Sequence, residues 1–193
     1  MNDRIAREVC TERDLFNCGG TFYELPAENA GGIAKVRPVA THGLRIQDFC
    51  SYRGLLIMSG IDAGEKNPRI VRSSDGQAAV WLGVADDLWK LGKPRGKGGP
   101  WMQSQVRGGI PSDPFLMTGF DRKRLDLSNE GNTEAEFTLE ADVTGEGSWA
   151  VVKRFHLKSG EAIQHTFPAW FQACWVRLIS SKDAVATAQF TYE

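Results

Sequence analysis

Short apolar stretches with a period of two, separated by Gly-rich turns, run through most of the chain, and no heptad pattern is present. The clearest case is Glu134 to Val143, EAEFTLEADV, where Ala135, Phe137, Leu139 and Ala141 share one face and carboxylates and Thr138 the other. That pattern predicts a strand with one buried and one solvated side. Cys174, Val176 and Leu178 align in the same way within Ala173 to Ile179, and Trp149 to Leu157, Ala162 to Phe167 and Ala186 to Tyr192 are further strand candidates. Strands at this spacing predict a β-sandwich over residues 129–193.

Residues 1–128 read as an antiparallel β region, either propeller-like blades or an open meander. Residues 1–20 are polar and charged and end in the turn Gly19-Gly20. Thr21 to Leu25 is a short strand, and Ile33 to Ala40, interrupted by Pro38, has the character of an edge strand. The continuous run LLIMS after Gly54 belongs in the middle of a sheet. Asp75-Gly76 is a hairpin signal between Arg69 to Ser73 and Gln77 to Val84. A second hairpin is expected about Asp121, between Leu116 to Phe120 and Arg124 to Leu127. The fold class is all-β, with antiparallel sheets.

Between the strand Val80 to Val84 and Phe120 the texture changes. Gly92, Pro94, Gly96, Gly98, Gly99, Pro100, Gly108, Gly109, Pro111 and Pro114 are dense enough to predict a long shaped loop over residues 85–115 rather than helix or central strand. Long loops in compact domains are commonly functional. Trp89, Trp101, Ile110, Phe115, Leu116, Met117 and Phe120 give this one apolar anchors, so it reads as ordered.

Composition narrows the function classes. Aromatic content of 10% and 21 glycines suit strands and turns. A net charge of −1 provides no general attraction for nucleic acid or anionic membrane, and neither partner is expected. The charged start, MNDRIAREVCTERD, has no apolar core of a secretory signal, and no apolar run reaches spanning length. Localisation is left open, extracellular or periplasmic if the chain is a fragment of an exported protein. Cys10, Cys18, Cys50 and Cys174 have no metal-ligand spacing and read as isolated thiols, with a Cys10–Cys18 disulfide as the alternative.

The candidate chemistry lies in the loop. Asp86, Asp87 and Asp113 accompany Trp89 and Trp101, and a glycoside-hydrolysing site needs paired carboxyl groups beside an aromatic platform for the sugar ring. The competing reading is that Asp86 and Asp87 cap the turn after the strand and Asp113 forms an Asx-turn before Pro114. Adjacent residues point apart, so one of Asp86 and Asp87 at most faces a given pocket. His42, in a turn before Arg45 and Asp48, is a further acid, base or ligand candidate, and His42 and Asp48 join the expected substrate-binding set. No cofactor is expected. Calcium is the ion that carboxylates and Gly-loop carbonyls would suit, but EF-hand spacing is absent. His156 and His165, near Phe155, Phe167, Trp170 and Trp175, form either a sugar-binding face or a metal pair, or else core. Nucleophile-elbow, zinc-protease, P-loop and dinucleotide-binding motifs are absent.

The runs DDLWKLGKPRGKGGPW (Asp86 to Trp101), SDPFLMTGF (Ser112 to Phe120) and ATAQFTY, with GGTFYELP (Gly19 to Pro26) and THGLRIQDFCSYRGLL (Thr41 to Leu56), resemble the C-terminal half of uncharacterised bacterial proteins in which β-propeller blades precede a small β-sandwich. Such proteins occur in bacteria that degrade polysaccharides, so the resemblance implies a glycan partner by association. A propeller needs at least four blades, and residues 1–128 supply two or three, which implies a fragment or a homo-oligomer. Two functions follow as expectations. One is a carbohydrate-active protein that binds, and in an enzymatic form hydrolyses, a glycan through the loop. The other is a noncatalytic binding or assembly module in which the loop is a structural clamp.

Overall fold

The computed structural model describes residues 4–10 and 13–193. The chain divides into two compact units, residues 1–94 and 95–193. Among the described residues the strands form four antiparallel sheets of four strands each, none closed. The protein is all-β.

In the first unit, β1 (Ile5–Cys10), β2 (Arg13–Cys18), β3 (Thr21–Leu25) and β4 (Arg37–Thr41) form a meander in chain order. The second sheet has β5 (Asp48–Tyr52), β6 (Leu55–Ser59), β7 (Ile70–Arg72) and β8 (Ala79–Gly83) in the order β5-β6-β8-β7. The LLIMS run is thus a central strand, and Pro38 lies on an edge strand, where a missing N–H leaves no ladder bond broken. Leu15, Phe22 and Val39 of one sheet and Phe49, Leu56, Met58 and Trp81 of the other share one core. Phe22 meets Phe49 edge to face at 5.3 Å.

The polar opening is not merely a tail, because β1 and β2 pair as a hairpin in which Ile5 faces Asn17 and Cys10 faces Arg13. The Cys10 side chain lies outside the described residues. Cys18 is a free thiol at the far end of β2 from that Cys10–Arg13 pair, so the register opposes the alternative disulfide.

The second unit contains β9 (Gly96–Val106), β10 (Phe115–Leu116), β11 (Lys123–Asn129), β12 (Ala135–Asp142), β13 (Trp149–Leu157), β14 (Ala162–Thr166), β15 (Trp175–Ser180) and β16 (Ala184–Tyr192). Its sheets are β10-β15-β12-β13 and β14-β11-β16-β9. Phe137, Leu139, Val176 and Leu178 from one and Leu125, Leu127, Ala188 and Phe190 from the other fill a single core, a sandwich-like arrangement. The alternation of β12 is as expected, with Ala135, Phe137, Leu139 and Ala141 all buried.

Three expectations change. The boundary falls at 94/95 rather than 128/129, because β9 and β11 flank β16 in one sheet and cannot be separated from the C-terminal strands. Asp121 does not mark a hairpin, since β10 pairs with β15 and β11 pairs with β14 and β16, so the chain changes sheets there. The expected loop 85–115 contains instead a 3-10 helix, Ala85–Lys90, and an eleven-residue edge strand, β9. Glycine is required in that strand by crowding: a Cβ on Gly99 would overlap the Ala188 carbonyl, and one on Gly98 would lie 3.2 Å from the Phe115 ring. Register shifts opposite Ala186 to Phe190 mark bulges that accommodate Pro100 and the positive φ of Gln103.

Candidate functional site

The sequence-predicted site residues are divided between the two units. Asp86, Asp87 and Trp89 lie on the 3-10 helix of the first unit, whereas Trp101 and Asp113 belong to the second. Asp86 is exposed and Asp87 is 5% exposed, as expected of neighbours that point apart. The Asp87 carboxylate accepts from the Val84 N–H at 3.0 Å, from Arg69 at 2.7 Å and from Lys90 at 3.0 Å. The Val84 bond, then the Lys90 bond, hold its carboxyl below the usual range against the effect of burial. It therefore closes the helix N-terminus and ties it to β7, where Arg69 is the preceding residue, rather than facing a substrate.

Trp89 is 55% exposed beside Asp86, but Trp101 is 7% exposed in the core, edge to face with Phe137 at 6.3 Å. An indole enclosed on all sides presents no face to a sugar, so the expected role of Trp101 is corrected to a packing one. Asp113 is exposed, and Ser112 makes the turn bonds there, donating to the Asp113 carbonyl and accepting from the Leu178 N–H. The Ser112 hydroxyl thereby joins the backbone at Asp113 to β15.

His42 is an internal bolt. Its Nδ1 donates to the Leu44 carbonyl at 3.1 Å and its Nε2 lies 3.1 Å from Oδ1 of the buried Asn17. A carbonyl only accepts, so Nδ1 carries the proton; in the neutral ring Nε2 is an acceptor, and a hydrogen bond to it calls for the Asn17 amide turned over so that NH₂ takes the place of Oδ1. Burial lowers the His42 pKa and the Leu44 bond partly opposes it. Both ring nitrogens are engaged, which leaves none for a ligand in the open cleft of about 500 Å³ above it. Asp48 pairs with Arg7 at 3.2 Å and accepts from the Phe49 N–H, linking β5 to β1.

His156 and His165 are not a metal pair. His156 is exposed on β13 and meets Glu136 at 3.0 Å. His165 on β14 packs edge to face against Phe155 and Phe167, with Lys153 Nζ 3.4 Å from its Nδ1. Among the described residues no group of three or more His, Cys, Asp or Glu side chains is placed to hold a metal ion.

One end of the second unit gathers what the expected site lacked. Trp149 and Trp175 are the register partners of Asp142 on either side of β12, so the two indoles stand in one row across three strands. Asp142 is 2% exposed; burial alone would raise its pKa, but the N–H groups of Gly147, Gly145 and Thr144 hold it low and fold the 143–148 turn onto the carboxylate. In the next row Arg177 Nε donates to Glu140 Oε2 at 2.7 Å, and the guanidinium lies over the Trp149 ring at 4.3 Å. Trp149, Trp175, Arg177 and Glu140 are all partly exposed.

Period two in the sequence carries this arrangement. With Val176 and Leu178 inward, Trp175 and Arg177 must face outward, as must Glu140 against Leu139 and Ala141. Comparison with protein-family models, with curated proteins and with solved structures found no match to the chain.

Proposed function

We propose that the chain is a noncatalytic glycan-binding module whose binding surface is the outer face of β13, β12 and β15 at the tryptophan-bearing end of the second unit. The observation that carries this reading is the row Trp149–Asp142–Trp175 with the Arg177–Glu140 pair beside it. Strands two apart lie about 10 Å from each other, a span that two rings of an extended sugar chain fill. An indole suits the C–H face of a pyranose, and a guanidinium and a carboxylate, both planar forks, suit vicinal hydroxyl groups. The cation–π contact and ion pair order these side chains in advance, which lowers the entropy lost on binding.

Hydrolysis needs two carboxyl groups about 5 to 10 Å apart across a cleft. Asp87 is engaged by Arg69 and Lys90, and Glu140 is paired with Arg177. Binding without turnover is the reading that fits. The resemblance to polysaccharide-associated proteins points to the same ligand class, and β1-β2-β3-β4 has the strand order of one propeller blade while β5-β6-β8-β7 departs from it.

Titration calorimetry of the full chain with cellohexaose and with xylohexaose tests the reading. Saturable binding of at least one is expected, weakened about tenfold by Trp149→Ala and unchanged by Trp89→Ala. Binding that depends on Trp89 and not on Trp149 would return the site to the first unit.

A further inference from the structure

Trp170 takes no part in the shelf just described, yet at 78% exposure it is the most exposed large apolar side chain among the described residues. It lies on the Phe167 to Cys174 connection between β14 and β15, and that connection is firmly held. The Phe167 N–H donates to the Lys123 carbonyl, the Phe171 N–H to the Pro168 carbonyl and the Cys174 N–H to the Asp142 carbonyl, each at 2.9 Å. Lys123 occupies a position on the inward face of β11, with Leu125 and Leu127, and is 2% exposed. Its Nζ donates to the Phe171 carbonyl at 3.1 Å, and Phe171 packs on Phe167 at 5.1 Å. Burying an ammonium is costly unless it is bonded, and here the bond fixes the backbone next to Trp170. The fold therefore holds one indole in water on a braced turn, where a mobile loop would let it collapse onto apolar neighbours.

The same turn runs directly into Trp175. At this end the Tyr192 hydroxyl donates to the Leu116 carbonyl, tying the two sheets together, and the Met117 N–H donates to the Cys174 carbonyl, extending the β10–β15 pairing. The segment FPAWFQAC (Phe167 to Cys174) carries no charged residue. A lipid surface would call for several apolar side chains with basic residues beside them, and an acidic partner for lysine or arginine. An uncharged turn with one rigid indole suits an uncharged ligand with apolar ring faces.

Building on the glycan-binding reading, we infer that Trp170 is a third aromatic contact beyond the end of the sheet, so that the site takes internal stretches of a neutral polysaccharide in preference to short oligosaccharides. Trp170 contributes a ring platform past Trp175, and Lys123 is its positioning residue.

The test is titration of the full chain with the hexaose it binds and with the matching disaccharide, cellobiose or xylobiose, for the wild type, Trp170→Ala and Trp149→Ala. Trp170 is exposed, so its removal leaves the core intact. The expected result is that Trp170→Ala weakens the hexaose about tenfold and leaves the disaccharide within about twofold, whereas Trp149→Ala weakens both. Hexaose binding by Trp170→Ala equal to wild type, with Trp149→Ala impaired, overturns the inference and leaves the binding reading standing. Failure of the wild type to bind either hexaose overturns both. Co-sedimentation with phosphatidylcholine vesicles that is lost in Trp170→Ala also overturns it, assigning the indole to a bilayer.

Discussion

The Arg177 guanidinium lies 4.3 Å from the centroid of the Trp149 ring, across β12 from the strand that carries it. The same side chain is fixed by Glu140 at 2.7 Å, so a charge and an indole are aligned on a solvent-facing sheet. A double-mutant cycle of Trp149→Ala and Arg177→Ala, followed by chemical denaturation, is expected to return a coupling of about 1 kcal/mol. Arg177→Lys is expected to lose most of it, because an ammonium offers neither the planar stack nor the fork. Additive effects would mean that the contact contributes nothing to the order of the shelf.

β9 is a strand because its glycines let β16 approach. Gly99→Ala would drive a Cβ into the Ala188 carbonyl, with backbone on both sides of the clash and no flexible side chain to yield. We expect a loss of about 1 to 3 kcal/mol in the second unit, together with faster amide exchange along β16. Unchanged exchange in β16 would contradict the close pairing.

His42 and His165 make both units acid-sensitive. Burial lowers both pKa values, and for His165 the neighbouring Lys153 adds to it. Folding thus favours the neutral rings. Their contribution is complete above the unfolded value of about 6.5, and it is lost as pH falls from there through the depressed folded values. Amide protection factors, which correct for the slower intrinsic exchange in acid, are expected to fall at pH 5 relative to pH 7.5 around Asn17 and Leu44 in one unit and along β13 and β14 in the other. His42→Gln is expected to remove the effect in the first unit alone.

Asp87 works in the opposite sense. Its carboxyl is held low, so its stabilisation is present above the unfolded value of about 3.9 and disappears as pH falls through the folded one. Asp87→Asn keeps an acceptor for the Val84 N–H but loses the charge facing Arg69 and Lys90. It is expected to lower the melting temperature of the first unit at pH 7, with the gap to wild type narrowing as pH falls below the unfolded value and through the depressed folded one. A gap that persists in acid would show that packing, not charge, is what the substitution disturbs.

Strand identity was legible wherever one face is buried and the other wet. β12, β13 and β14 have the expected bounds within a residue or so, and the all-β class follows from them. The Gly/Pro-rich stretch was misread because composition reports what a residue permits, not what stands next to it. Gly98 and Gly99 read as loop formers, yet they are the places where β9 must lie against Phe115 and Ala188. The unit boundary failed with it, since β9 and β11 both pair with β16, and neither pairing is visible in the alternation of the strands.

Asp86, Asp87 and Trp89 share the 3-10 helix, but which carboxylate is buried depends on Arg69, eighteen residues away in sequence from Asp87. Trp149 and Trp175 face outward by the same period-two rule that placed Val176 and Leu178 inside. Their juxtaposition across β12 depends on a strand order that alternation does not encode.

The most direct test of the binding site is the set of six indole N–H signals in a ¹H–¹⁵N spectrum of the full chain as xylohexaose or cellohexaose is added, since tryptophan occurs at six positions and three of them make up the proposed site. The account predicts that the signals of Trp149, Trp170 and Trp175 shift with saturation while those of Trp81, Trp89 and Trp101 stay in place. Shifts confined to Trp89, or no shift with either glycan, would contradict it.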